Sequence, residues 1–488
     1  MPLSAYEKQR LANMEANKKQ LIELGLEAAV ASVRTITKTQ ARASVKGSAI
    51  NKKAKREVVP PRSRSLRQQN KDVDGTMIPD KPVVATPEPA PRHERKPSVP
   101  LDAAKVSTGA TSADEAASFL ARLGDVAADA TRPKTKKSKS SPAAAPQLTS
   151  SIDLTSLSVA EEDIAKMVPE RIFSLAVHPS PSKLLVAAGD TWGRVGLWDV
   201  DTGDDNPVVT FEPHSRPVAG IRMLQEMPNI LLSCSHDGSV RSLDLGAGGS
   251  SATFVEVYRA PEDADGDYPM LHGLSRTAGE GGVIACCRSD GAVAQLDLRV
   301  AGASASVTHL HDKKIFSVDY APTQPYLLAT ASLDRTVAIW DIRAFGGAKK
   351  PKALATLDHG LSVTSARFSP SGSRLLTTCN DDLLRVFECS DGKKAGTKWD
   401  VLCAIKHNNK TGRYLTSFQA EWLRGSEETV LCGSMAQPRG IDVFAYGGAP
   451  EARLEDEHVT SVVSLLAQHP TRPVLVASNS GGKCFVWR

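Results

Sequence analysis

The chain has 488 residues, 41% hydrophobic but only 5% aromatic, with 60 Lys+Arg against 55 Asp+Glu. Its eight cysteines include no CxxC pair, which argues against a zinc site or disulfide frame and for small hydrophobes in a reducing compartment. No apolar stretch reaches bilayer-spanning length and no secretory h-region opens the chain, so the expectation is a soluble intracellular protein without membrane association.

Residues 1–150 differ in kind from the rest. They are rich in Ala, Ser, Pro, Lys and Arg and carry 27 Lys+Arg against 15 Asp+Glu, a net of +12, whereas the remainder carries 33 against 40, a net of −7. Such a segment buries too little apolar surface to offset its ordering entropy, and it reads as a largely disordered basic tail. A basic arm on a mildly acidic domain suggests nucleic acid or an acidic partner, or a solubilising role. Two helices interrupt it. Ser4-Ala5-Tyr6-Glu7 forms a capping box ahead of Leu11, Met14, Leu21 and Leu24, with Gly25 as a C-cap, predicting a helix near 4–25. A second box at 112–115 precedes Phe119, Leu120 and Leu123, predicting a short helix over 113–123, and both helices read as docking elements. The clusters KKAKR at 52–56 and KTKKSK at 134–139 have the composition of nuclear import signals, which places the protein in the nucleus.

From residue 151 to 488 one grammar recurs seven times: a polar opener, two apolar strands, an Asp-containing turn, and a strand closing on a Trp-Asp-like pair. The closures fall at Trp198-Asp199, Leu243-Asp244, Leu296-Asp297, Trp340-Asp341, Phe387-Glu388, Phe444 and Trp487. This period and pattern predict an all-β, seven-bladed WD-repeat β-propeller, since a lone blade cannot cover both faces and radial packing can. Openers His214, His311, His359, His407 and His458 and turn aspartates Asp190, Asp237, Asp290, Asp334 and Asp381 read as buried structural polar groups rather than a triad or metal ligands. The last repeat stops one strand short, so residues 164–168, ahead of Pro169, are the expected closing strand.

Openers and second turns of such blades project from one face. That face collects Trp192, Arg194, Arg216, Lys313, Lys314, Arg335, Lys410, Arg413, Tyr414 and Arg439, with Arg171, Arg288 and Lys483 beside them. Cations, amides and aromatics together suit phosphates and bases. The first-blade turn is enlarged by Trp192-Gly193 and the sixth opener swells to 407–414. Trp192 could equally pack against a neighbouring blade.

The stretches YEKQRLANM, PERIFSLAVHPS, AAGDTWGRVGLWDV, PHSRPVAGI, HDKKIFSVDY and HNNKTGRYLT resemble those of the WD-repeat DNA-damage-binding family. The resemblance implies a nuclear protein that binds single- and double-stranded DNA, with a preference for ultraviolet-damaged sites. The run ending Trp340-Asp341-Ile342-Arg343 is similar to the WDxR box by which some propellers dock a cullin-ligase adaptor, giving the alternative of a ligase substrate receptor or chromatin-protein reader. No Walker loop, Rossmann fingerprint, nucleophile elbow or zinc spacing is present, so the sequence predicts no enzyme, cofactor, metal or small-molecule substrate.

Overall fold

Each repeat folds into an antiparallel sheet whose first strand follows the opener and faces a central channel. The computed structural model describes residues 154–488 except 203–207, 226, 248–252, 263–265, 278–281, 300–304, 347–350, 391–396 and 449, together with 99–100, 119 and 123. All belong to one unit, Pro89–Arg488. Among the described residues seven sheets form the ring that the repeat spacing predicts, a seven-bladed propeller. Blade 1 comprises Ile172–Val177, Leu185–Asp190, Val195–Asp199 and Val208–Phe211. Blade 4 comprises Ile315–Tyr320, Leu327–Ser332, Thr336–Asp341 and Ala355–Asp358.

Position within a blade explains composition. The second strands of blades 1 and 4 are buried at every residue, because neighbouring blades cover both faces, and their small side chains (Ala187, Ala188, Ala329, Ala331) let the sheets approach. The outer strand Trp399–Lys406 of blade 5 instead mixes buried and exposed positions, as expected where one face meets water.

The ring is closed by Ile164–Lys166, which pairs antiparallel with Lys483–Trp487, Ile164 opposite Phe485 and Lys166 opposite Lys483. Beyond it the backbone N–H groups of Met167 and Val168 donate to Gly482 O, and a Cβ on Gly482 would sit 1.9 Å from Val168 O. Glycine at φ +80° is what lets the two segments touch.

The 4–25 helix, both basic clusters and most of the 113–123 helix lie outside the described residues. Of that second helix Phe119 and Leu123 are described, both helical and four residues apart, so they share one face. They are 2% and 1% exposed and pack with Val209 and Phe211 of blade 1 and Phe254 of blade 2. Val99–Pro100 adds a fifth strand to blade 2, pairing with Phe254 and Thr253. Within the stretch read as tail, Phe119 and Leu123 thus pack into the propeller and Val99–Pro100 extends one of its sheets.

The polar grammar is realised unevenly. In blade 4 His311 Nδ1 stands 2.7 Å from Asp334 Oδ2, His311 Nε2 2.7 Å from Thr330 Oγ1, and Trp340 Nε1 donates to the same hydroxyl at 2.8 Å. Blade 2 repeats this with His214, Asp237 and Ser233, while Leu243 replaces the Trp. Elsewhere partners are exchanged: His359 meets Thr377, but Asp381 takes Arg385, and His407 takes Asn409. His458 departs from the expectation of a buried opener. It lies near the surface and bonds Asp456 two residues away at 2.8 Å.

One regularity was invisible in the sequence. In six of the blades the register slips after the first residue of the inner strand, between Ile172 and Ser174, Leu271 and Gly273, or Ile315 and Ser317, for example. A bulge re-aims the extra residue, and Phe173, His272 and Phe316 accordingly line the channel.

Candidate nucleic-acid interface

At the channel mouth, on the face formed by openers and second turns, lies a cavity of about 630 Å³. Blade 1 contributes Arg171 from the start of its inner strand and Trp192 from its enlarged turn. Asp190, fully buried, accepts from the N–H groups of Trp192 at 2.8 Å and Arg194 at 2.9 Å and so fixes that turn. Gly193 presses on His214 O, where a Cβ would come within 2.3 Å, which requires glycine at φ +89° beside Trp192. Its ring is 60% exposed, which rules out packing against a neighbouring blade as its main role.

The swollen opener of blade 6 supplies the opposite wall. Thr416 Oγ1 donates to Ile172 O of blade 1 at 2.6 Å, while Thr364 Oγ1 of blade 5 donates to Phe418 O at 3.1 Å. This segment thus spans the channel mouth from blade 5 to blade 1. Arg171 Nη1 donates to Arg413 O at 2.7 Å, tying the loop down and leaving Tyr414 79% exposed. Ser215, Arg216 and Pro217 of the blade 2 opener, His236, Thr191, Ser480 and the exposed Glu170 complete the lining.

The electrostatics are one-sided. Burial lowers the Arg171 guanidinium from its ordinary value. Arg171 Nε, Arg216 Nε and Ser215 Oγ are shielded from solvent and have no hydrogen-bond partner among the described residues. Below them His236 Nε2 lies 3.0 Å from His272 Nδ1, and the His236 ring meets Phe173 edge-on at 5.6 Å. Burial, then Lys314 and Arg216, lower His236 to about 4, and burial, then His236 and Lys314, lower His272 to about 2. Both are neutral near pH 7, so the floor is polar but uncharged.

Of the ten face residues named from sequence, Trp192, Arg216, Arg413 and Tyr414 meet in this cavity. The others do not line it. Arg194 is paired with Glu212 at 2.9 Å, and Lys410 with Asp382 at 2.9 Å. Lys314 lies over the Phe316 ring at 4.5 Å in the neck below. Arg439 folds back onto Met435 O of its own loop. Lys313 and Arg335 are exposed on blade 4, Arg335 at φ 76°. Arg288, also expected on the face, is buried against Asp290 at 2.6 Å and Tyr258 at 3.0 Å and serves the blade. His236 was missed; its place beside a turn aspartate was the available signal. Trp340 of the WDxR stretch is 4% exposed, whereas Arg343 is at the surface, forked onto Asp341 at 2.6 and 2.9 Å and over Tyr326 at 4.0 Å. Asp341 pairs with Leu327, at the end of the blade remote from the Leu333–Arg335 turn, so this pair lies on the face opposite the cavity.

Fold and site together define a WD-repeat propeller with a cationic and aromatic cavity at its channel mouth. The WD domain, G-beta repeat model matches residues 205–244, 304–341 and 351–388. The chain is 35% identical over 492 residues to WD repeat-containing protein 76 of Xenopus laevis, covering 99% of this chain and 80% of that protein. It is 33% identical over 350 residues to DNA damage-binding protein CMR1 of Chaetomium globosum, covering 66% of this chain and 65% of that protein. The chain belongs to the WD-repeat DNA-damage-binding family, the family of WD repeat-containing protein 76. The β-propeller domain of Myceliophteria thermophila Cps50 (Swd1) matches with a TM-score of 0.52 at 16% identity, covering 68% of this chain and 99% of that one, a likeness of fold alone.

Proposed function

We propose that the protein is a non-enzymatic nuclear DNA-binding protein that engages single- and double-stranded DNA at the channel mouth, prefers ultraviolet-damaged sites, and acts in the damage response. The observation that carries this is the convergence of Arg171, Arg216 and Arg413 with Trp192 and Tyr414 from three separate blades on one cavity. Three arginines lining one cavity suit phosphate oxygens. Exposed aromatic faces suit bases. Relatives named for DNA-damage binding support the same reading.

The test is fluorescence anisotropy of the full chain on matched and irradiated duplexes across a salt series. Replacing Arg171, Arg216 and Arg413 together by Gln is expected to weaken binding and to flatten the salt slope by roughly two to three, about one per phosphate contact. Wild-type affinity and slope in that variant would refute the assignment. Exposed Arg343, paired with Asp341 on the opposite face, favours a second, compatible reading, recruitment of a ubiquitin-ligase adaptor or chromatin protein. Co-purification that is lost in Arg343→Ala supports it, and co-purification indifferent to Arg343 removes it.

A further inference from the structure

The cavity is too small for a duplex and well sized for part of one strand. At about 630 Å³ it lies within the range of ligand pockets. As a sphere that volume is roughly 11 Å across, narrower even than the major groove of B-DNA at about 12 Å. A duplex can therefore lie over the mouth but cannot enter it. We infer that the cavity holds a single unpaired nucleotide, and that the site recognises loss of base pairing rather than the chemistry of a lesion. This rests on the DNA-binding reading above and specifies its ligand.

Three features support the assignment. Trp192 and Tyr414, on loops from different blades, present largely exposed rings at the rim, against which a base freed from its stack can lie. Arg171, Arg216 and Arg413 line the same cavity and put three guanidinium charges beside the phosphate of that nucleotide. The floor, His236 over His272, is neutral and hydrogen-bonding, so it can meet the polar edge of a base without placing a further charge there. The single carboxylate of the lining, Glu170, is exposed. A paired base offers neither its hydrogen-bonding edge nor its face, so these features are reached only after extrusion or in a single strand.

The experiment compares four labelled probes with the full chain: a matched duplex, the same duplex irradiated, the same sequence with a short central mismatch bubble of chemically normal bases, and a single strand. The expected result is that bubble and single strand bind within about two-fold of the irradiated duplex and about ten-fold more tightly than the matched one. The double variant Trp192→Ala, Tyr414→Ala, whose rings lie at the surface and whose melting curve is checked alongside, is expected to level the four affinities. Bubble and matched duplex binding alike while the irradiated duplex binds more tightly would overturn the inference and leave DNA binding intact. A preference that survives the double variant would also overturn it. Failure to bind any probe would remove the DNA-binding reading itself.

Discussion

Thr330 shows how much of a blade can rest on one hydroxyl. It takes the Trp340 indole N–H at 2.8 Å and lies 2.7 Å from His311 Nε2, and all three side chains are buried. Thr330→Val keeps the shape and orphans two buried groups, so we expect a loss of about 1–3 kcal/mol in urea unfolding. Asp334 makes the same network sensitive to acid. Burial alone would raise its carboxyl, but the hydrogen bonds from His311 and Thr336 outweigh burial and hold it at about 2. A depressed carboxylate contributes stability above its ordinary, unfolded value that is lost as pH falls through about 2. Asp334→Asn is therefore expected to flatten the stability profile between about pH 4 and 2. His236 acts in a higher window. Its folded value near 4 lies below the unfolded value of about 6.5, so the unfolded chain takes up the proton first and stability declines as pH drops between them. His236→Gln is expected to reduce that decline in melting temperature, and an unchanged decline would show that other groups cause it.

At the scale of elements, the seven strand sets and the closing segment were legible because each rests on local chemistry: apolar runs, turn residues, and a final repeat lacking its outer strand. The bulges were not, because a register slip depends on the partner strand and leaves no pattern in the strand that carries it. The amphipathic Phe119 and Leu123 were legible as a docking face but not their receptor, the cleft between blades 1 and 2. Truncating each to Ala is expected to cost roughly 2–5 kcal/mol, read by chemical denaturation, because each side chain leaves a cavity in a shared core. Deleting residues 160–170 should lower the melting temperature far more, since it removes the strand that joins the last blade to the first. A melting curve unchanged by that deletion would show that the ring holds without it.

For the whole molecule, repeat alignment assigned residues to a face but could not say which charges were already matched within it. Arg194 and Lys410 have carboxylate partners outside their own turns, Glu212 and Asp382, and no spacing rule reveals that. Nor could spacing show that the blade 6 opener crosses the channel mouth and brings Arg413 and Tyr414 to Arg171 and Trp192. The resulting molecule has a cationic, aromatic mouth on one face and the Asp341–Arg343 pair on the other. The competing source of DNA affinity is the basic N-terminal segment. The most direct measurement is anisotropy of the full chain and of residues 89–488, which keep Phe119 and Leu123, on matched and irradiated duplexes across a salt series. The propeller account predicts that 89–488 retains the preference for irradiated DNA with a shallower salt slope. Loss of all DNA binding in 89–488 would assign affinity to the basic segment and contradict a DNA site at the channel mouth.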